Sequence, residues 1–270
     1  MHRHLEDGLA DGTLHDRIAV IAEEAAALIR PYWRAGVQTM TKADDSPVTI
    51  ADQKAEALIL ERLASLYPGV QVVAEEASEA GGRPETAADW FWLIDPLDGT
   101  KGFIGGKESF TVNIALIHEG RPVAGVVNAP ALTLTWATGG EGGGARRRPE
   151  GGAWETVRVR ARPERGSALL SHSMRGEAAE RLAKAHGCLE WAGEDSSLKF
   201  CRIAEGAADV YPRTGPTSEW DTAAGQAVLE AAGGRVLTLE NGPVGDALAY
   251  GKPGFLNGGF VAMGAEAGRF

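Results

Sequence analysis

The chain has 270 residues, 44% of them hydrophobic and 24% charged, an ordinary globular composition with ample material for a core. A formal net charge of −10 argues against a general nucleic-acid or membrane-surface binder, and no run of about 18 apolar residues offers a membrane span. An anionic substrate stays open, because a metal ion or a local basic group inverts the sign at a site.

Residues 1–13 read as a loose tail. The opening MHRHLEDGLADGTLHDR lacks the apolar centre of a secretion signal, so a cytoplasmic location is expected. From Leu14 to about Ala35, Ile18, Ile21, Ala25, Leu28 and Ile29 recur at helical spacing. A second amphipathic helix is expected from about Ala51 to Leu66, stopped by Pro68 and Gly69. VQVVAEEA then reads as a short strand ending in two glutamates, and WFWLI as an apolar strand buried on both faces. SFTVNIALIHEGRPVAGVVNAPALTLTWAT predicts an antiparallel meander turning at HEGRP and NAP. GGEGGGARRRPEGG, over 139–152, lacks a phosphate-loop signature and reads as a flexible hairpin tip and domain boundary.

The remainder alternates strand and helix. SALLSH predicts a strand, GEAAERLAKAHG a helix, and SSLKFCRIAEGAADVY a helix running into Tyr211. EWDTAAGQAVLEAAGG predicts a third helix closed by Gly233 and Gly234, before the strand RVLTL. The expected organisation is an α+β half over 14–150 and an α/β half over 151–270, packed as layers. The two cysteines, Cys188 and Cys201, form no CxxC pair and read as reduced thiols.

The chemistry concentrates in DPLDGT, residues 95–100. A rigid strand end is a good platform, and Asp95 and Asp98 converge on one point if the chain turns at Pro96. Gly99 lets the backbone approach a ligand closely. Two carboxylates repel, so a hard divalent cation such as Mg²⁺ or Mn²⁺ is the economical companion, whereas the absence of Cys and His speaks against zinc. Glu75 and Glu76 end the preceding strand, Asp52 opens the second helix, and Asp221 opens the third. Each alone has a plain alternative: Asp52 and Asp221 as N-caps, Glu76 as a solvated charge. Two Mg²⁺ ions about 3.5–4 Å apart would clamp a phosphate and activate a water for in-line attack. The amides of Gly99 and Thr100 would hold phosphate oxygens, and Thr100 would pass a proton from the water to Asp52.

DPLDGT, the glutamate pair at 75–76 and WDTAAGQAVLEAAGG together resemble the inositol monophosphatase superfamily of lithium-sensitive, Mg²⁺-dependent phosphatases, from about residue 14 to PGFLNGGF. SPVTIADQKAE, DGTKGFI, ESFTVNIALI and SSLKFCRIAEGAADVYPRTGPTSEWDTAAG resemble its bacterial 3′(2′),5′-bisphosphate nucleotidase branch. The resemblance implies an α/β/α/β/α sandwich, often a homodimer. It implies a first metal on Glu75, Asp95 and the Leu97 carbonyl, a second on Asp95, Asp98 and Asp221, and a third, weaker one near Glu75. Asp52 and Thr100 would orient and deprotonate the water, with Gly99, Thr100 and Lys101 beside the scissile phosphate. The implied substrate is adenosine 3′,5′-bisphosphate, cleaved to AMP and phosphate to clear a by-product of sulfate assimilation. Lys199 and Arg213 become candidates for its second phosphate, with a solvated lysine as the plain alternative for Lys199. Ser171 and Ser173 fall in the nucleotide-contacting segment.

That segment departs from the branch. It usually reads like Ser-Arg-Ser-His; here it is Ser171-His172-Ser173-Met174, and Gly102 stands where an acidic residue is common. The same chemistry on an inositol, histidinol or sugar phosphate is therefore the alternative reading.

Overall fold

The computed structural model describes residues 3–33, 39–41, 47–172, 174, 176–239 and 244–265. Helices α1 (Arg3–Asp11) and α2 (Thr13–Ile29) meet at Gly12, whose φ of 85° favours glycine. The loose tail is thus corrected. Leu5 is fully buried and Leu9 packs beside it in the same cluster, one turn along a short polar helix whose few apolar residues share a face.

A short pair, β1 (Thr39–Thr41) and β2 (Pro47–Thr49), leads into α3 (Ile50–Leu66). A seven-stranded sheet follows: β3 (Gln71–Ala74), β4 (Trp90–Asp98), β5 (Thr111–His118), β6 (Arg121–Ala129), β7 (Leu134–Thr138), β8 (Ala145–Pro149) and β9 (Glu155–Val157), in that spatial order. Only β3 and β4 are parallel. The turns α4 (Glu75–Ala77) and α5 (Thr100–Ile104) hang from the ends of β3 and β4.

A second sheet takes β10 (Gly166–Leu170), β11 (Cys188–Gly193), β12 (Val210–Arg213), β14 (Arg235–Leu239), β15 (Val244–Ala247) and β17 (Phe260–Met263), with β13 (Thr217–Ser218) paired to β16 (Leu256–Asn257) at its side. The helices of this half are α6 (Gly176–Ala185), α7 (Leu198–Ala204) and α8 (Ala223–Ala231).

Side-chain alternation along β4 sorts the layers. Trp92 and Ile94 pack with α2 and α3, while Phe91 and Leu93 join the cluster built from α7, α8 and the inner face of the second sheet. Ala168, Leu170 and Val210, on the sheet's other face, bury against Ala179 and Ala183 of α6. The result is the expected α/β/α/β/α sandwich, with α7 and α8 in the middle layer. Gly125 makes the tight contact possible: a Cβ there would stand 2.7 Å from that of Ala227 on α8.

Three local expectations are corrected. The boundary at residue 150 falls inside the β8–β9 hairpin, so the first sheet runs on to Val157. Arg146, Arg147 and Arg148 are not on a flexible tip; they lie on β8 and bond Asp16, Glu205 and Glu23. The helix expected to reach Tyr211 ends at Ala204, because the chain turns at Gly206 (φ 75°) into β12.

Candidate active site

The site grows from the end of β4. Asp95 pairs with Asn113 and Asp98 with Thr111, so β4 carries one residue more than β5 across this interval. Such a bulge re-aims side chains, and Pro96, which has no N–H to donate to the ladder, sits within it. Asp95 folds back to accept from the Leu97 N–H at 3.0 Å. Gly99 follows with a φ of 92°, and a Cβ there would stand 3.1 Å from the Ser109 carbonyl oxygen.

Thr100, first residue of α5, has its Oγ1 3.2 Å from Asp52 Oδ1 and 3.1 Å from the Leu97 carbonyl oxygen. Its single proton serves one of them at a time. Asp52 is 1% exposed and sits three residues after the helix cap Thr49, in a capping box. Its other oxygen accepts from Thr49 N at 2.8 Å and Thr49 Oγ1 at 2.5 Å, leaving Oδ1 to face Thr100. Asp52 is therefore not itself the N-cap. Neither is Asp221, the last residue of a 3-10 turn (Glu219–Asp221) capped by Ser218, whose N–H donates to Asp221 Oδ2 at 2.8 Å.

Asp95 feels the charge of Glu75 and, after it, those of Asp98 and Asp221. Burial first, then these like charges, pushes the Asp95 carboxyl well above the usual range. Burial and then Asp98 and Glu75 do the same to Asp221. Asp98 is raised by burial too, against the pull of Lys199 and of hydrogen bonds from Ser197 and Asn113. Among the described residues, no three Asp, Glu, His or Cys side chains are already drawn into a finished cation cage. The four carboxylates form an acidic cluster of oxygen donors under mutual repulsion, which fits a hard divalent cation.

The cluster opens into a cavity of about 750 Å³ lined by Gly99, Lys101 and Ser171, together with Asp98 and Asp221. Lys199 and Arg213 stand in its wall. The solvated reading of Lys199 is corrected: it is 5% exposed, donates to the Ser196 carbonyl at 2.8 Å and lies 4.7 Å over the Tyr211 ring. Burial lowers its pKa to about 8 against the attraction of Asp98, Asp195 and Glu194. Arg213 is steered by the carbonyls of Gly215 and Pro216. Ser173 lies outside the described residues.

Sequence reasoning did not find Lys107, Asp195, Ser197, Asn113 or Glu56 as contributors. Lys107 and His172 both contact Asp195 in the cavity wall, at 3.2 and 3.0 Å. Ser197 and Asn113 stand behind Asp98. Glu56 accepts from the N–H groups of Glu76 and Ala77 at 2.8 and 2.9 Å, holding the turn that carries Glu75. Of these, Glu56 had a signal: four residues after Asp52, it shares that helix face. Glu76 is half-buried rather than solvated.

Residues 15–263 match the inositol monophosphatase family. The chain belongs to that family. Family members are metal-dependent. Among similar proteins is the 3′(2′),5′-bisphosphate nucleotidase CysQ of Salmonella typhimurium, 44% identical over 81% of this chain and 86% of the relative. The protein of the same name from Escherichia coli K12 is 39% identical over 91% of this chain and 97% of its own length. Of solved structures, CysQ from Bacteroides thetaiotaomicron superposes with a TM-score of 0.73 at 34% identity, covering 93% of this chain and 96% of the other. An inositol monophosphatase from Thermotoga maritima also gives 0.73, at 25% identity over 92% and 91%. No helix among the described residues is long and apolar enough to cross a membrane.

Proposed function

We propose that the protein is a Mg²⁺-dependent phosphomonoesterase that removes the 3′-phosphate of adenosine 3′,5′-bisphosphate, releasing AMP and phosphate. The observation that carries this reading is a cavity lined by Asp98 and Asp221 of the acidic cluster together with Lys101, Lys199 and Arg213, while Thr100, between the lining residues Gly99 and Lys101, contacts Asp52. The nucleotidase relatives, matched over most of their length, supply the substrate.

Glu75, Asp95, the Leu97 carbonyl, Asp98 and Asp221 are the residues that would hold two or three Mg²⁺ ions, with Mn²⁺ as a substitute. Bound there, the ions would supply charge neutralisation for the phosphate and a lowered pKa for a bound water. The rest falls to the chain itself. The Thr49 bonds keep Asp52 Oδ1 aimed at Thr100. As Thr100 Oγ1 takes the proton of the attacking water, its own proton passes to Asp52 Oδ1. The new P–O bond forms to the water oxygen, the bond to the ribose 3′-oxygen breaks, and that oxygen takes up a proton from bulk water, to which Asp52 then returns the proton it received. Gly99 and Lys101 flank the reacting phosphate, while Lys199, Arg213, Ser171 and Ser173 receive the second.

Met174 need not face a phosphate, because it packs against the apolar cluster beneath β10. The same chemistry on an inositol, histidinol or sugar phosphate is favoured by one observation, that His172 stands in this wall bound to Asp195. Phosphate release measured on all four substrate types separates the readings.

A further inference from the structure

Asp98 and Asp221 come from different layers, β4 and the turn before α8, yet one residue touches both. The Ser197 N–H donates to Asp98 Oδ2 at 2.7 Å, and its hydroxyl donates to the Asp221 carbonyl at 2.8 Å. Asn113 on β5 backs this link, its Nδ2 standing 3.1 Å from Ser197 Oγ and 3.4 Å from Asp98 Oδ2. The polarity is determined. A carbonyl only accepts, so the Ser197 proton points to Asp221 and the Ser197 oxygen is left to accept from the Asn113 amide.

The arrangement is built into the backbone. Ser196 has a φ of 55°, rare for a residue with a Cβ, and so turns the Ser197 N–H toward Asp98 while its own carbonyl takes the Lys199 ammonium. Ser197 and Asn113 are each 1% exposed, and neither lines the cavity. They act through the carboxylates, not on substrate.

We propose that Ser197, supported by Asn113, is a positioning residue that holds Asp98 and Asp221 at the separation a divalent cation requires. The inference rests on the reading of these carboxylates as cation ligands. Groups that orient ligands from behind typically change metal affinity by about 10- to 100-fold when removed.

The test is a titration of the metal-free, full-length protein with Mn²⁺ alone, reading free Mn²⁺ by its electron paramagnetic resonance signal. Ser197→Ala keeps the N–H to Asp98 but loses the hydroxyl; its Mn²⁺ dissociation constant should rise about tenfold. Ser197→Thr keeps the hydroxyl and should restore most of the affinity. Asn113→Ala provides an independent second variant, expected to shift affinity in the same direction, should Ser197→Ala not fold. Thermal unfolding without metal separates a purely structural role, which lowers the melting temperature equally in Ser197→Ala and Ser197→Thr. Wild-type affinity in folded Ser197→Ala and Asn113→Ala overturns this inference and leaves the metal reading standing. Equal loss in Ser197→Ala and Ser197→Thr also overturns it. No binding by the wild type overturns both.

Discussion

Thr100 Oγ1 stands 3.2 Å from Asp52 Oδ1, joining the first residue of α5 to the first turn of α3. The contact is a proton path only if both ends matter. Thr100→Ala and Asp52→Asn should each lower kcat by about 10²- to 10⁴-fold. The KM for substrate should change little, because Thr100→Ala keeps the backbone amide assigned to the phosphate and Asp52 is assigned no substrate contact. Steady-state kinetics at saturating Mg²⁺ checks this, and the double variant should lose little more than either single one.

Glu56 supports Glu75 from behind. Its carboxylate is 5% exposed and accepts the Glu76 and Ala77 N–H groups. Glu56→Ala leaves both donors without that partner and should cost about 1–3 kcal/mol in urea unfolding. It should also raise the Mg²⁺ concentration needed for half-maximal activity. Glu56→Gln keeps one acceptor and should fall between.

Charging of His15 and His186 should cost the fold stability in mild acid. His15 is 3% exposed, and its Nδ1 lies 2.6 Å from Thr138 Oγ1. Burial lowers its pKa, and His186 is lowered by burial and the Arg162 charge. As pH falls below about 6.5, the unfolded chain takes up protons that the folded chain refuses, so stability declines with pH. Melting temperatures at pH 7.5 and 5.5 should differ less for His15→Gln than for the wild type.

Much of this fold was legible because its signals are local. The apolar run of β4, the caps and stops of α3, and the alternation of the meander each lie within a few residues. What was not legible depends on distant partners. The arginines of β8 read as a loose basic tip because Glu23 and Asp16, which neutralise two of them, lie on α2. Helix α1 is too polar to announce itself, yet Leu5 and Leu9 anchor it. The site divides the same way. Asp95, Asp98 and Thr100 sit in one short motif, whereas Ser197 and Asn113 reach Asp98, and Asp195 reaches the cavity wall, only once the sheets are packed.

The most direct measurement is phosphate release with Mg²⁺ present. Adenosine 3′,5′-bisphosphate is compared with inositol 1-phosphate, histidinol phosphate and fructose 1,6-bisphosphate, with Asp95→Asn as control. The expected result is a kcat/KM for the nucleotide at least tenfold above the others (about 1.4 kcal/mol of discrimination), abolished in Asp95→Asn. A preference for another ester would contradict the nucleotide assignment of Lys199 and Arg213. Release by Asp95→Asn equal to that of the wild type would contradict the metal-centred account itself.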